Sequence, residues 1–180
     1  MSNRSQKITK LTKMGMLAAI SVVLVYFIHF PIFPAVPFLE YDPADISIFI
    51  GTFAFGPLAG FALTVIVSVV QGLTVSAHSG FYGILMHIIA TGSFVLVAGN
   101  IYKRNKTRKS AVIALACGTV TMVVVMFFAN LVITPLFMGA PRDVIMALMP
   151  FILAFNFVKA GINSVITFLL YKRISRFLHK

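Results

Sequence analysis

Apolar residues in this chain come in long uninterrupted blocks. They cover residues 14–30, 46–55, 58–75, 84–101, 111–136 and 149–170. At 1.5 Å of rise per helical residue, all but the second are long enough for most of the roughly 30 Å hydrocarbon core of a bilayer. Polar stretches separate them. Residues 1–13 carry Arg4, Lys7, Lys10 and Lys13, and residues 31–45 hold four prolines together with Glu40, Asp42 and Asp45. Ser76–Gly83 is rich in small residues, 103–109 is strongly basic, and 137–147 contains Arg142 and Asp143. The first apolar run exceeds a usual signal-peptide core, and no small-residue cleavage site follows it. It is therefore read as an uncleaved first transmembrane helix.

The region 46–75 admits two parses, because Gly56-Pro57 interrupts it. One is a single kinked helix; the other is two helices with a tight turn between them. Basic residues decide. Thirteen of the 15 Lys and Arg lie in the N-terminus, the 103–109 turn or the C-terminus, while every acid lies in 31–45 or 137–147. The positive-inside rule puts both termini and the basic turn on the cytoplasmic side. An odd number of crossings must then separate the 31–45 loop from the basic turn. Two helices at 46–55 and 58–75, with a third at 84–101, satisfy this. The expectation is an all-α integral membrane protein, a bundle of six transmembrane helices with both termini cytoplasmic. The second of them is too short to span comfortably.

Composition agrees. The 180 residues are 59% hydrophobic and 11% charged, with a mean hydropathy of +0.99, more apolar surface than a water-soluble domain can hide. No linker composition appears, so residues 1–180 read as a single transmembrane domain. The net charge of +11 is a topology signal and an attraction to anionic lipid. It is not a nucleic-acid footprint, because aromatic residues are not interleaved with the basic ones. Cys117 stands alone. The histidines His29, His78, His87 and His179 match no metal or haem spacing. No phosphate-binding glycine loop and no nucleophile elbow occur, so neither an enzyme nor a bound cofactor is expected.

The chemistry concentrates in the last apolar run. Asn156, Lys159 and Asn163 stand at i, i+3 and i+7, on one face of a helix. A lysine at mid-membrane costs about 2.5–3.5 kcal/mol on the insertion scale. Interhelical bonding explains an Asn but not the Lys, so the stripe is expected to face a ligand. Asn130, near the outer end of the fifth run, is expected at a similar depth. Amides beside one ammonium suit a neutral heterocycle with carbonyl and ring N–H groups; an anionic substrate would require more cations. Glu40, Tyr41 and Asp42 in one outer loop, with Ser79 and Gly80 in another, are expected to lid an outward-facing pocket. Asp45 is read first as a helix N-cap. Gly15 and Ala19, spaced i, i+4 beside Ala18, permit close helix approach, either within the chain or to a partner. A lone buried lysine also raises the alternative of a Schiff-base chromophore protein. That reading needs an acid at membrane depth, and all acids are expected in loops.

Together these residues resemble the substrate-binding S components of energy-coupling factor (ECF) vitamin transporters, closest to the riboflavin-specific members. The resemblance rests on the basic N-terminus before a small-residue first helix, on Leu39-Glu40-Tyr41-Asp42-Pro43-Ala44-Asp45, on Gly56-Pro57-Leu58-Ala59-Gly60 and on Phe155-Asn156-Phe157-Val158-Lys159. It implies a six-helix bundle that holds riboflavin between helices four to six, under the first outer loop. An S component for another vitamin is the neighbouring alternative. The implied partners are a transmembrane T component and two cytoplasmic ABC-type ATPases, in the cell membrane. The family docks through Ala-x-x-x-Ala on its first helix. Here Gly15-x-x-x-Ala19 is close, while Ala18 is followed four residues later by Val22.

Overall fold

The computed structural model describes residues 3–178. Its order is α1 (Asn3–Phe27), β1 (Phe30–Pro31), β2 (Glu40–Tyr41), α2 (Ala44–Phe55), α3 (Pro57–Leu73), a one-turn 3-10 helix (Ala77–Ser79), α4 (Gly80–Arg104), α5 (Arg108–Met138) and α6 (Arg142–Leu178). Helices α1, α4, α5 and α6 are long and apolar enough to cross a membrane, and α2 and α3 are shorter.

The short helix is the central one. Ten consecutive residues of α2, Ala44 to Phe53, are buried, so it has no face for lipid or water. It packs against α1, α3, α4 and α6. A helix sheathed by longer neighbours is not held to the bilayer thickness, which removes the difficulty that its length raised. Gly56 ends it with φ +95°, a conformation that glycine adopts without strain, and Pro57 opens α3. The two helices can lie close because Gly60 faces the Thr52 side chain and Gly99 of α4 faces Thr52 and Pro57, leaving no room for a Cβ.

Away from the Pro-rich loop, aromatic rings fill the centre. Phe49 stacks on Phe94 with centroids 3.9 Å apart and planes 5° from parallel. Phe53 stacks on Tyr102 at 4.3 Å, and Tyr102 meets Tyr171 edge-on. The Tyr102 hydroxyl donates to the Tyr171 hydroxyl at 3.2 Å.

The helices outrun the apolar blocks. α1 takes in most of the basic lead-in, and α4 starts at Gly80 rather than at 84. α5 and α6 leave only residues 139–141 of the expected 137–147 loop outside helix. Gly139 closes α5 in the left-handed conformation, its N–H bonded to the Pro135 carbonyl. Pro150 lies inside α6 without ending it. The flanking Ile145, Met149 and Ile152 bury themselves against Val36 of the Pro-rich loop, and that burial outweighs the backbone bond that proline removes. The loop in turn is clipped at its ends, where Phe30 pairs with Tyr41 and Pro31 with Glu40 in a two-stranded antiparallel ribbon.

Candidate ligand-binding site

A cavity opens under that loop. It offers about 150 Å³ to the centre of a water molecule and about 950 Å³ of atom-free space with its mouth included. The loop contributes Phe38, Leu39, Glu40 and Asp42, α3 contributes Ser68, Gln71 and Gly72, the segment between α3 and α4 contributes Ser76 and Ser79, and the remaining walls come from α4, α5 and α6. α4 and α6 both pack along α5, and the cavity lies among the three. Met86, Met122, Met126, Phe137 and Phe155 give it apolar walls. Deformable thioethers and flat rings suit the faces of a planar ligand.

One corner is densely polar. The Lys159 ammonium donates to Asp42 Oδ2 at 2.7 Å and lies 3.9 Å from Asp45 Oδ2. Asn163 donates through Nδ2 to the Asp42 carbonyl at 3.2 Å and to Asp45 Oδ2 at 3.4 Å, and its Oδ1 accepts from the Tyr41 hydroxyl at 3.0 Å. Asp45 Oδ1 accepts from Thr91 at 2.8 Å and lies 3.1 Å from His87 Nε2. His87 Nδ1 meets the Ser68 hydroxyl at 3.2 Å. The loop is tied to α6 through Tyr41 and Asp42, and α2 is tied to α4 and α6 through Asp45. In the loop, burial lifts the Tyr41 phenol above its ordinary pKa; the Asp42 carboxylate adds to the rise and Lys159 opposes it.

Lys159 does not depend on a ligand to be tolerated. Its charge is met by two acids of the chain, and its cavity-lining position leaves ammonium protons for a further acceptor. The expectation that all acids sit in loops therefore fails. Asp45 lies fully buried in the first turn of α2. Its reading as an N-cap fails for the same reason, since its carboxylate is spent on α4 and α6. Pro43 occupies the cap position, and Asp42 Oδ1 takes the capping bond, accepting from the Ala44 N–H at 3.0 Å.

Asn130 and Asn156 both line the cavity. Each turns its NH2 back to its own helix, Asn130 to the Met126 carbonyl at 2.7 Å and Asn156 to that of Ile152 at 2.8 Å. Thr134 donates to Asn130 Oδ1 at 2.7 Å. Glu40, Asp42, Ser79 and Lys159 also reach the wall, whereas Tyr41, Asn163 and Gly80 do not line it. Tyr41 and Asn163 stand behind the wall as supports, and Gly80 opens α4 with φ +50°. Gln71, His87, Thr91 and Ser68 were missed. Their signal was present: Ser68 and Gln71 at i, i+3, and His87 and Thr91 at i, i+4, each place two polar groups on one face of an apolar helix.

On α1, Gly15 and Ala19 are exposed and Ala18 is partly packed on the core. A Cβ added at Gly15 would meet nothing within 4 Å, so packing inside the chain does not call for the glycine.

The family model for the substrate-specific component of ECF transporters matches residues 9–171. The chain belongs to that family. This S component is therefore a transport protein of the cell membrane and not an enzyme. It is 30% identical over 152 residues to "Riboflavin transporter RibU" of Staphylococcus aureus (strain TCH60), covering 79% of this chain and 78% of the relative. It is 29% identical over 152 residues to "Riboflavin transporter FmnP" of Bacillus subtilis (strain 168), covering 79% and 80%. A solved S component of a bacterial ECF transporter superposes with a TM-score of 0.82 at 29% identity, over 97% of this chain and 99% of that one. An S component for biotin superposes with a TM-score of 0.66 at 18% identity, over 96% and 95%, and shares the fold. The acids that pair with Lys159 would supply the counter-ion a Schiff-base protein needs. Membership of a transporter family nevertheless removes the chromophore reading.

Proposed function

We propose that this S component captures riboflavin at the extracellular face and delivers it inward, using ATP energy from a transmembrane T component and two cytoplasmic ATPases. All six helices cross the bilayer in this reading, with both termini and the basic segment 103–109 cytoplasmic. The observation that carries it is the cavity itself. Methionines and aromatics line it together with an ammonium and the amides of Gln71, Asn130 and Asn156, the counterpart of a flat apolar tricycle with a polar edge. The names of the two relatives point the same way.

Lys159, Asn130, Asn156, Glu40, Asp42 and Ser79 would contact the vitamin or its ribityl chain. Tyr41 and Asn163 would hold the loop, and Gly80 would set the start of α4. Release requires the loop to part from α6, breaking the Asp42–Lys159 pair. The partners must favour that open state, since only differential affinity shifts such an equilibrium. The exposed Gly15–Ala19 face of α1, with Ala18 beside it, would receive the T component.

Purification tests the reading. The protein should be yellow, and acid should release a flavin identifiable by its mass. Colourless protein that takes up biotin but not added riboflavin would overturn the assignment while leaving the family intact.

A further inference from the structure

Among the described residues, two buried side-chain polar atoms have no hydrogen-bond partner, Gln71 Oε1 and Thr167 Oγ1. Gln71 alone of these lines the cavity. A buried orphan acceptor costs about 1–3 kcal/mol, and one on a residue that lines a ligand cavity points to a donor on the ligand. The orientation of the amide is settled by chemistry. Its other end lies 3.4 Å from Asp42 Oδ2, and only an NH2 can bond a carboxylate there. The oxygen therefore turns away from Asp42.

Lys159 reaches the same Asp42 oxygen at 2.7 Å, so the ammonium and the Gln71 amide share one corner. That corner offers a donor beside an acceptor, and the amides of Asn130 and Asn156 line the same cavity. The edge of a pyrimidine-dione ring reads acceptor, donor, acceptor: carbonyl, imide N–H, carbonyl. The Lys159 donor and the Gln71 acceptor match one carbonyl and the imide N–H of that edge.

We infer that Gln71 is a specificity-determining residue whose side-chain oxygen accepts a hydrogen bond from the imide N–H of the flavin. This rests on the riboflavin reading above and extends it to α3. It predicts that the pocket rejects flavins that lack this donor, because the orphan acceptor is then left unpaired.

Flavin fluorescence quenching on the purified full chain tests it, with riboflavin, N3-methylriboflavin and lumiflavin, which keeps the imide but lacks the ribityl chain. The unaltered chain should bind riboflavin at least about tenfold more tightly than the N3-methyl compound, the worth of one buried hydrogen bond. Gln71→Met should weaken riboflavin and lumiflavin alike by about tenfold and lose the discrimination against N3-methylriboflavin. Gln71→Leu serves if the methionine variant does not fold.

A role confined to holding Asp42 would weaken all three flavins equally and leave the discrimination, which overturns the inference. So does loss of riboflavin affinity without loss for lumiflavin, because the donor is then a ribityl hydroxyl. Unchanged riboflavin affinity in the variant overturns it as well. If the unaltered chain binds no riboflavin, the parent reading fails first and this one with it.

Discussion

The two ends of the central helix are held by opposite means. At its start, Asp45 and the neighbouring Asp42 join four elements through charged and polar bonds to Lys159, Asn163, His87 and Thr91. At its end, Phe49 and Phe53 are gripped by stacked rings of α4, with Tyr171 of α6 edge-on. Ring stacks lose their contacts steeply with any displacement and favour one arrangement. Directional bonds between a loop and a helix can break as a set and re-form. The polar end is also where the cavity lies, so the bonds that could open as a set border the space a ligand would enter.

The largest expected effect comes from breaking the polar end. Lys159→Met leaves Asp42 and Asp45 buried without their cation, a loss of about 3–5 kcal/mol. Thermal melting in detergent should drop sharply, and flavin binding should fall with it. Adding Asp42→Asn should recover part of the stability but not the binding. A Lys159→Met protein that melts normally would show that the acids find water or another donor, and the contrast between the ends would weaken.

The aromatic end should behave differently. Phe94→Ala removes one member of the 3.9 Å stack and should cost about 3 kcal/mol, while flavin affinity in the folded fraction stays nearly constant. Equal losses of affinity and stability would mean that the two ends are mechanically coupled.

A smaller effect tests the loop tether. The Tyr41 hydroxyl bonds Asn163 and its pKa is raised in the fold. A phenol that holds its proton more tightly when folded contributes fully below its unfolded pKa of about 10. The contribution is lost as pH climbs through the higher folded value. Tyr41→Phe should therefore be about 1 kcal/mol less stable at neutral pH, and the gap should close above about pH 10. A gap that persists at high pH would remove the hydroxyl from the account. Smallest of all should be the effect of Gly15→Leu on melting, within about 0.5 kcal/mol, since nothing lies near that position. In cells the same change should block flavin uptake if this face receives the T component; normal uptake would move the docking surface elsewhere.

Legibility in the sequence was uneven in a physically sensible way. The break at Gly56-Pro57 was readable because proline opens helices and glycine accepts positive φ. The stripe on α6 was readable because period and burial cost act within a single helix. The helix ends at 142–148 were not, because they depend on Val36 packing from more than a hundred residues away. Asp45 was misread for the same reason. Two residues after a proline at a helix start, a capping role is the local expectation; only Lys159, His87, Thr91 and Asn163 arriving from α4 and α6 give it another.

Taken alone, the order of residues determined that the chain lives in a membrane, that one apolar stretch breaks at Gly56-Pro57 and which helix carries a lysine at an improbable depth. Those properties are local: they follow from transfer free energies and from backbone geometry over a few turns. Which group neutralises the lysine, which amides face open space and which oxygen is left without a donor were decided by tertiary structure. They depend on which helices meet around a sheathed central one, and partners distant in sequence leave no periodic trace in it.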